Sequence, residues 1–142
     1  MFLLDTDHLG IMQHTSGQES ARLAERMTDH VPQEFYVSIV SFHEQVAGWR
    51  TYIHRAKTAL AVVRAYRMFE GILSDFTMLQ VVPFDETAAE IFHSLRKQRV
   101  RIGTMDLRIA ATALACGFRV LTRNKVDFAK VPGVEIEDWT VA

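Results

Sequence analysis

The sequence holds a single cysteine, Cys116, among 142 residues. No intramolecular disulfide can form, and no Cys-based metal cluster is available. A reducing compartment, the cytoplasm, is the expected setting. No run of eighteen or so apolar residues occurs, which excludes a membrane-spanning helix. The first residues lack the basic-then-apolar layout of a signal peptide. Excess charge of either sign is missing too: the net charge is -1, so no global basic field advertises nucleic acid. Internal repeats, low-complexity segments and linkers are absent, and residues 1–142 are expected to form one domain.

What is present is apolar material, 49% of the chain, ample for one packed core. Charge is unevenly spread. Residues 1–91 carry seven Lys/Arg against twelve Asp/Glu, whereas residues 92–142 carry nine against five. Arg96, Lys97, Arg99 and Arg101 form the densest basic stretch, and Arg50, Arg55, Lys57, Arg64 and Arg67 a looser one. Either alone reads as a solvated helix face. An RNA partner would use both only if they border one site.

Phe2-Leu3-Leu4 reads as a short buried strand, followed by a helix from about His8 and a second from about Gly17 to His30. Pro32 ends that helix. The β-branched and aromatic run Phe35–Val40 predicts a strand, and Ser41 a helix start. The helical region then runs to about Phe76, interrupted near Thr51. Leu79–Phe84 predicts a strand, Asp85 or Thr87 opens a helix to about Arg99, and Thr104 precedes another through Ala115. Gly117 suits the position just past a helix end. Phe118–Thr122 and Val134–Ile136 complete the strands. Apolar rather than alternating strands, separated by helices, predict an α/β fold with a parallel sheet covered on both faces. In such folds ligands bind beyond the carboxyl ends of the strands.

Acidic residues recur at those edges. Asp5 and Asp7 follow the first strand, Glu44 follows the second, Asp106 opens the helix before the penultimate strand, and Asp127 follows that strand. Each has a structural reading. Ser41 to Glu44 matches a capping box, Asp106 suits the dipole of a first helical turn, and Thr6 or Asp7 suits an N-cap. Asp5 resists such a reading, because an unpaired carboxylate ending a buried strand is expensive. Carboxylates without cysteine favour a hard cation such as Mg²⁺ or Mn²⁺. Such an ion bridges to phosphate oxygens and activates water for phosphodiester hydrolysis.

Leu3-Leu4-Asp5-Thr6-Asp7 resembles the opening of PIN-domain nucleases. So do Val37-Ser38-Ile39-Val40-Ser41-Phe42-His43-Glu44, Asp106-Leu107-Arg108-Ile109-Ala110-Ala111-Thr112-Ala113 and Leu121-Thr122-Arg123-Asn124-Lys125-Val126-Asp127-Phe128. The ending Val131–Trp139 is similar to that of VapC-type toxins of type II toxin–antitoxin systems. The resemblance spans essentially the whole chain. It implies a three-layer α/β/α PIN-like domain with a mainly parallel sheet. It also implies a Mg²⁺- or Mn²⁺-dependent endoribonuclease, usually homodimeric, whose RNA cleavage is blocked by a cognate antitoxin. Carried over by motif, Asp5, Glu44 and Asp106 are metal ligands and catalytic. The family's fourth acidic position falls on Asn124, which leaves Asp127 as the fourth candidate catalytic residue and metal ligand, acting directly or through water. Thr6, Thr122 and Asn124 are polar support, and Arg96, Lys97, Arg99 and Arg101 candidate contacts to the RNA backbone. His8 and His43 flank the acidic positions and are candidates for proton transfer. Two other functions compete. A haloacid-dehalogenase-like phosphatase would use Asp5 as nucleophile and Asp7 as acid, which leaves Glu44 and Asp106 without roles. A non-catalytic PIN scaffold binding RNA or protein would draw on the Asn124 substitution.

Overall fold

A computed structural model describes residues 1–142. Five parallel strands form one sheet in the order β3-β2-β1-β4-β5. They are β1 (Phe2–Leu4), β2 (Phe35–Ser38), β3 (Val81–Val82), β4 (Arg119–Leu121) and β5 (Ile136–Glu137). The helices are α1 (Thr6–Gln13), α2 (Gly17–Met27), α3 (Ile39–Arg55), α4 (Ala59–Met78), α5 (Glu86–Lys97), α6 (Thr104–Cys116) and α7 (Lys125–Phe128). This is the expected three-layer arrangement. The first strand lies in the middle: the chain adds β2 and β3 on one side of β1, then crosses to place β4 and β5 on the other.

Alternation along each strand builds both layers at once. Leu3 pairs in register with Tyr36 and Val120, and these point to the layer of α5, α6 and α7. Leu4 pairs with Val37 and Leu121, which pack with Phe2 under α1 to α4. Ala110, Ala111 and Ala113 of α6 are fully buried, and their small side chains let that helix lie close to the sheet. Gly117 sits at φ 70°, the left-handed conformation that ends α6, as its position in the sequence suggested.

Several boundaries differ from the sequence reading. The N-cap of α1 is Asp5, not Thr6 or Asp7. β2 stops at Ser38, and α3 begins at Ile39 with Ser38 as its N-cap, accepting from the Val40 amide at 3.0 Å. Ser41 is therefore buried in the first turn of α3, and the capping box with Glu44 does not form. Ile39 and Val40 favour strands by propensity, but Val40 packs into the core from the helix, and that burial wins. The break in the long helical region falls at residues 56–58 rather than Thr51, with Thr58 capping α4.

Leu3→Ala, which empties a fully buried site at the centre of the sheet, should cost about 2–5 kcal/mol. Leu73→Ala, on an exposed face of α4, should change stability by less than about 0.5 kcal/mol. Urea midpoints at constant m-value separate the two.

Candidate active site

The reversal of strand order between β1 and β4 leaves a crevice at their carboxyl ends, and the acidic residues gather there. Asp5 follows β1 directly and its backbone N–H still pairs with the Leu121 carbonyl of β4 at 2.9 Å. The side chain is buried. Its Oδ1 accepts from the Thr6 amide and its Oδ2 from Thr122 Oγ1, both at 2.8 Å. Thr6 in turn donates from Oγ1 to Glu44 Oε1 at 2.7 Å and lies 3.0 Å from Ser41 Oγ. Glu44 is on the second turn of α3, so the early start of that helix carries it toward β1.

Asp106 comes from the first turn of α6. Carboxylate oxygens of Asp5, Glu44 and Asp106 lie within 4.8 Å of one another. No lysine or arginine pairs with any of the three. Asn124 divides its amide protons between Asp106 Oδ2 at 3.2 Å and Asp127 Oδ2 at 3.1 Å, so Asp127 reaches the cluster through Asn124. Asp127 also meets Lys130 Nζ at 3.3 Å.

The electrostatics follow from this placement. Burial, reinforced by the negative charge of Asp7, pushes the Asp5 carboxyl up to about 7. Burial also raises Glu44 and Asp106, and each feels the other acidic groups. Asp127 goes the other way, lowered by the Asn124 amide and by Lys130. Three crowded, partly desolvated carboxylates without a cationic side chain suit a hard divalent ion: the donors are all oxygen and their charge is uncompensated.

The remaining sequence candidates separate clearly. Asp7 turns from the cluster, accepting from the Arg123 amide at 2.9 Å and from His8 Nδ1 at 2.8 Å. His8 is fully buried, and its Nε2 accepts from the Trp139 amide at 3.2 Å. Both ring nitrogens are thus committed, with the proton on Nδ1, and the ring is not placed for proton transfer. His43 is exposed on α3. Thr122 Oγ1 also accepts from the Asn124 amide at 2.9 Å, so it orders both sides of the crevice. Arg96, Arg99 and Arg101 line a groove of about 650 Å³ that also includes Thr104 and Asp127, while Lys97 lies outside it. None of the four basic residues is ion-paired. Arg99 holds φ 61°, a left-handed conformation rare for a non-glycine residue. Sequence reasoning missed Ser41, whose hydroxyl meets Thr6, because it read that serine as a cap.

Comparison with known proteins places this geometry. The PIN domain model matches residues 10–134. Ribonuclease VapC1 of Rickettsia felis is 32% identical over 122 residues, covering 83% of this chain and 85% of that protein. The tRNA(fMet)-specific endonuclease VapC of Salmonella typhimurium is 34% identical over 91 residues, covering 61% of this chain and 67% of that protein. Among solved structures, DNA-bound VapBC from Salmonella typhimurium superposes with a TM-score of 0.70 at 26% identity, covering 97% of each chain. FitAB bound to a DNA fragment superposes with a TM-score of 0.71 at 26% identity, over 100% of this chain and 97% of that one.

Because the folded Asp5 carboxyl is raised, the native state holds its proton to higher pH than the unfolded chain. Without metal, stability should therefore fall as pH rises from the ordinary carboxylate range of 3.8 to about 7. Asp5→Asn should flatten that dependence and melt above the parent chain at pH 8. Mg²⁺ or Mn²⁺ at a hundredfold excess over its dissociation constant should stabilise the parent by about 2.7 kcal/mol and the variant by much less. Melting curves in EDTA and with added metal read both; a parent chain indifferent to pH and metal would contradict the electrostatic account.

Proposed function

The chain belongs to the PIN-domain family, and we propose that it is a metal-dependent endoribonuclease acting as the toxin of a toxin–antitoxin pair. The observation that carries this reading is the convergence of Asp5, Glu44 and Asp106, from three distant segments, with oxygens within 4.8 Å and no cation to neutralise them. Residues 1–142 act as one PIN domain.

In this reading Asp5, Glu44 and Asp106 hold Mg²⁺ or Mn²⁺. An ion held there would supply positive charge against the phosphodiester and lower the pKa of water, so that hydroxide is available as the nucleophile near neutral pH. Thr122 and Thr6 keep the Asp5 and Glu44 carboxylates turned inward. Asn124 keeps Asp106 aimed and ties Asp127 to the edge of the site. Asp7 offers no ligand oxygen, since both are committed to Arg123 and His8; this also removes the acid that a haloacid-dehalogenase-type phosphatase would need. RNA reaches the site along the groove of Arg96, Arg99 and Arg101, with Lys97 on the adjoining surface.

The relatives point to the biological setting. VapBC and FitAB neighbours are toxin-antitoxin assemblies or two-component complexes on DNA, and this chain is expected to have a cognate antitoxin and to form a homodimer. No helix is long and apolar enough to cross a membrane. The proposed place of RNA cleavage is the cytoplasm.

Asp5→Asn, Glu44→Gln and Asp106→Asn should each abolish Mg²⁺-dependent RNA cleavage while the circular dichroism spectrum persists. Asn124→Ala should cost about 10–100-fold. Expression of the intact chain should arrest growth, the three variants should not, and sequencing of RNA 5′ ends after induction should show one dominant site. Full cleavage by all three variants would end the metal-site assignment. Neutralising Arg96, Arg99 and Arg101 together should lower the salt slope of RNA binding by about 0.7 for each phosphate that is no longer neutralised; an unchanged slope returns them to a solvated surface.

A further inference from the structure

Glu44 faces more than the acidic crevice. It also lines a cleft of about 440 Å³ where the end of α1 meets the middle of α3 and the second half of α4. Trp49 and Tyr52 of α3 border it, their rings edge to face with centroids 5.1 Å apart. Gln13 of α1 and Gln45 of α3 exchange hydrogen bonds through their carboxamides, at 3.2 and 2.6 Å. Gln13 Nε2 also donates to Asp75 Oδ2 of α4 at 2.9 Å. Asp75 Oδ1 accepts from nothing, and Gln45 Nε2 keeps one proton uncommitted.

Glycine leaves the cleft open. Gly48 of α3 and Gly71 of α4 both line it, and a Cβ at either would meet nothing within 4 Å. Both are inside helices, where glycine is costly relative to alanine. No lysine or arginine lines the cleft, so it is not a phosphate subsite. Gln13, Glu44, Gln45 and Asp75 set polar groups among its apolar walls, which a groove for a purely apolar helix would not need. Aromatic faces with donors and acceptors converging beside them are what an unpaired nucleobase requires.

We propose that this cleft binds one unpaired base of the RNA next to the cleaved phosphodiester, and that its polar groups select guanine. The proposal rests on the endoribonuclease reading, since Glu44 is shared between cleft and crevice. Guanine presents two adjacent donors, N1–H and N2–H, for the free Asp75 Oδ1 and the lone pair that Oδ2 keeps beside its bond from Gln13, and an acceptor, O6, which matches the free Gln45 proton. Adenine and cytosine place a ring acceptor beside their amino group, and uracil flanks its single N–H with carbonyls. Each of those bases sets a lone pair against Asp75.

Fluorescence titration of the full chain in EDTA tests this, using guanosine, adenosine, cytidine and uridine 5′-monophosphates, with ribose 5-phosphate as the baseless control. Guanosine monophosphate should quench Trp49 saturably and bind about tenfold more tightly than the pyrimidines. Ribose 5-phosphate should change nothing. Asp75→Asn should erase the preference for guanine. Gly71→Ala should raise the melting temperature, as expected for a helical glycine, and still weaken nucleotide binding, which a purely structural glycine would not do. Mapped cut sites should carry guanine at a fixed offset, and Asp75→Asn should scatter them. A flat titration with RNA cleavage intact overturns the proposal alone and assigns the cleft to a protein partner. Cleavage without a fixed guanine also overturns it alone. Failure of the unmodified chain to cut any RNA overturns both this proposal and the nuclease reading.

Discussion

Burying the Asp5 carboxylate beside Glu44 and Asp106 is unfavourable in the absence of a compensating charge, and two hydrogen bonds from Thr6 and Thr122 recover only part of the cost. Much of the surrounding structure holds that arrangement in place. Thr6 binds Asp5 through its amide and Glu44 through its hydroxyl, so one residue fastens α3 to the end of β1. Thr122 does the same between β1 and the loop after β4, where its hydroxyl also fixes the Asn124 amide. The acidic groups are thus held near one another by neutral donors, not cations. A divalent ion would remove the repulsion that the protein itself leaves standing.

Topology explains why so few residues suffice. With β1 at the centre of the sheet, its carboxyl end is flanked by both β2 and β4. The helices that leave those neighbours, or return to them, bring their first turns to the same edge. Asp106 sits in the first turn of α6, where backbone N–H groups favour negative charge, and Glu44 lies one turn further into α3. The packed layer beneath α6, with its buried alanines, keeps Asp106 from drifting outward.

Much of this was legible along the chain. Apolar runs of three to six residues separated by helices pointed to the layers, and acidic residues at strand ends to the edge of interest. Asp5 stood out because a strand so apolar should not end on an uncompensated charge. The reading failed where two local signals competed. Ser38 and Ser41 both suit a helix start, and β-branched Ile39 and Val40 made the strand look longer than it is; packing of Val40 from a helix decided the matter. His8 gave no sign of burial, because its partner is the backbone amide of Trp139, far along the chain. The bridging position of Asn124 was likewise invisible, since a carboxamide between two acids has no spacing rule. The cleft beside Trp49, Tyr52 and Gln45 has no sequence signal, because α1, α3 and α4 form it only once they are packed.

The contact between His8 and Trp139 spans 131 positions, and that separation has a temporal meaning. At about 5–20 residues per second, the ribosome delivers the second partner about 7–26 s after the first. β4, which must pair with β1, and Thr122, which must bind Asp5 across 117 positions, also emerge long after β1. The central strand of the sheet therefore waits through that interval without half of its neighbours. Non-local pairing of this kind folds slowly. An enzyme aimed at RNA would gain its cutting edge only after Asp106 and Thr122 had followed Asp5 out of the ribosome.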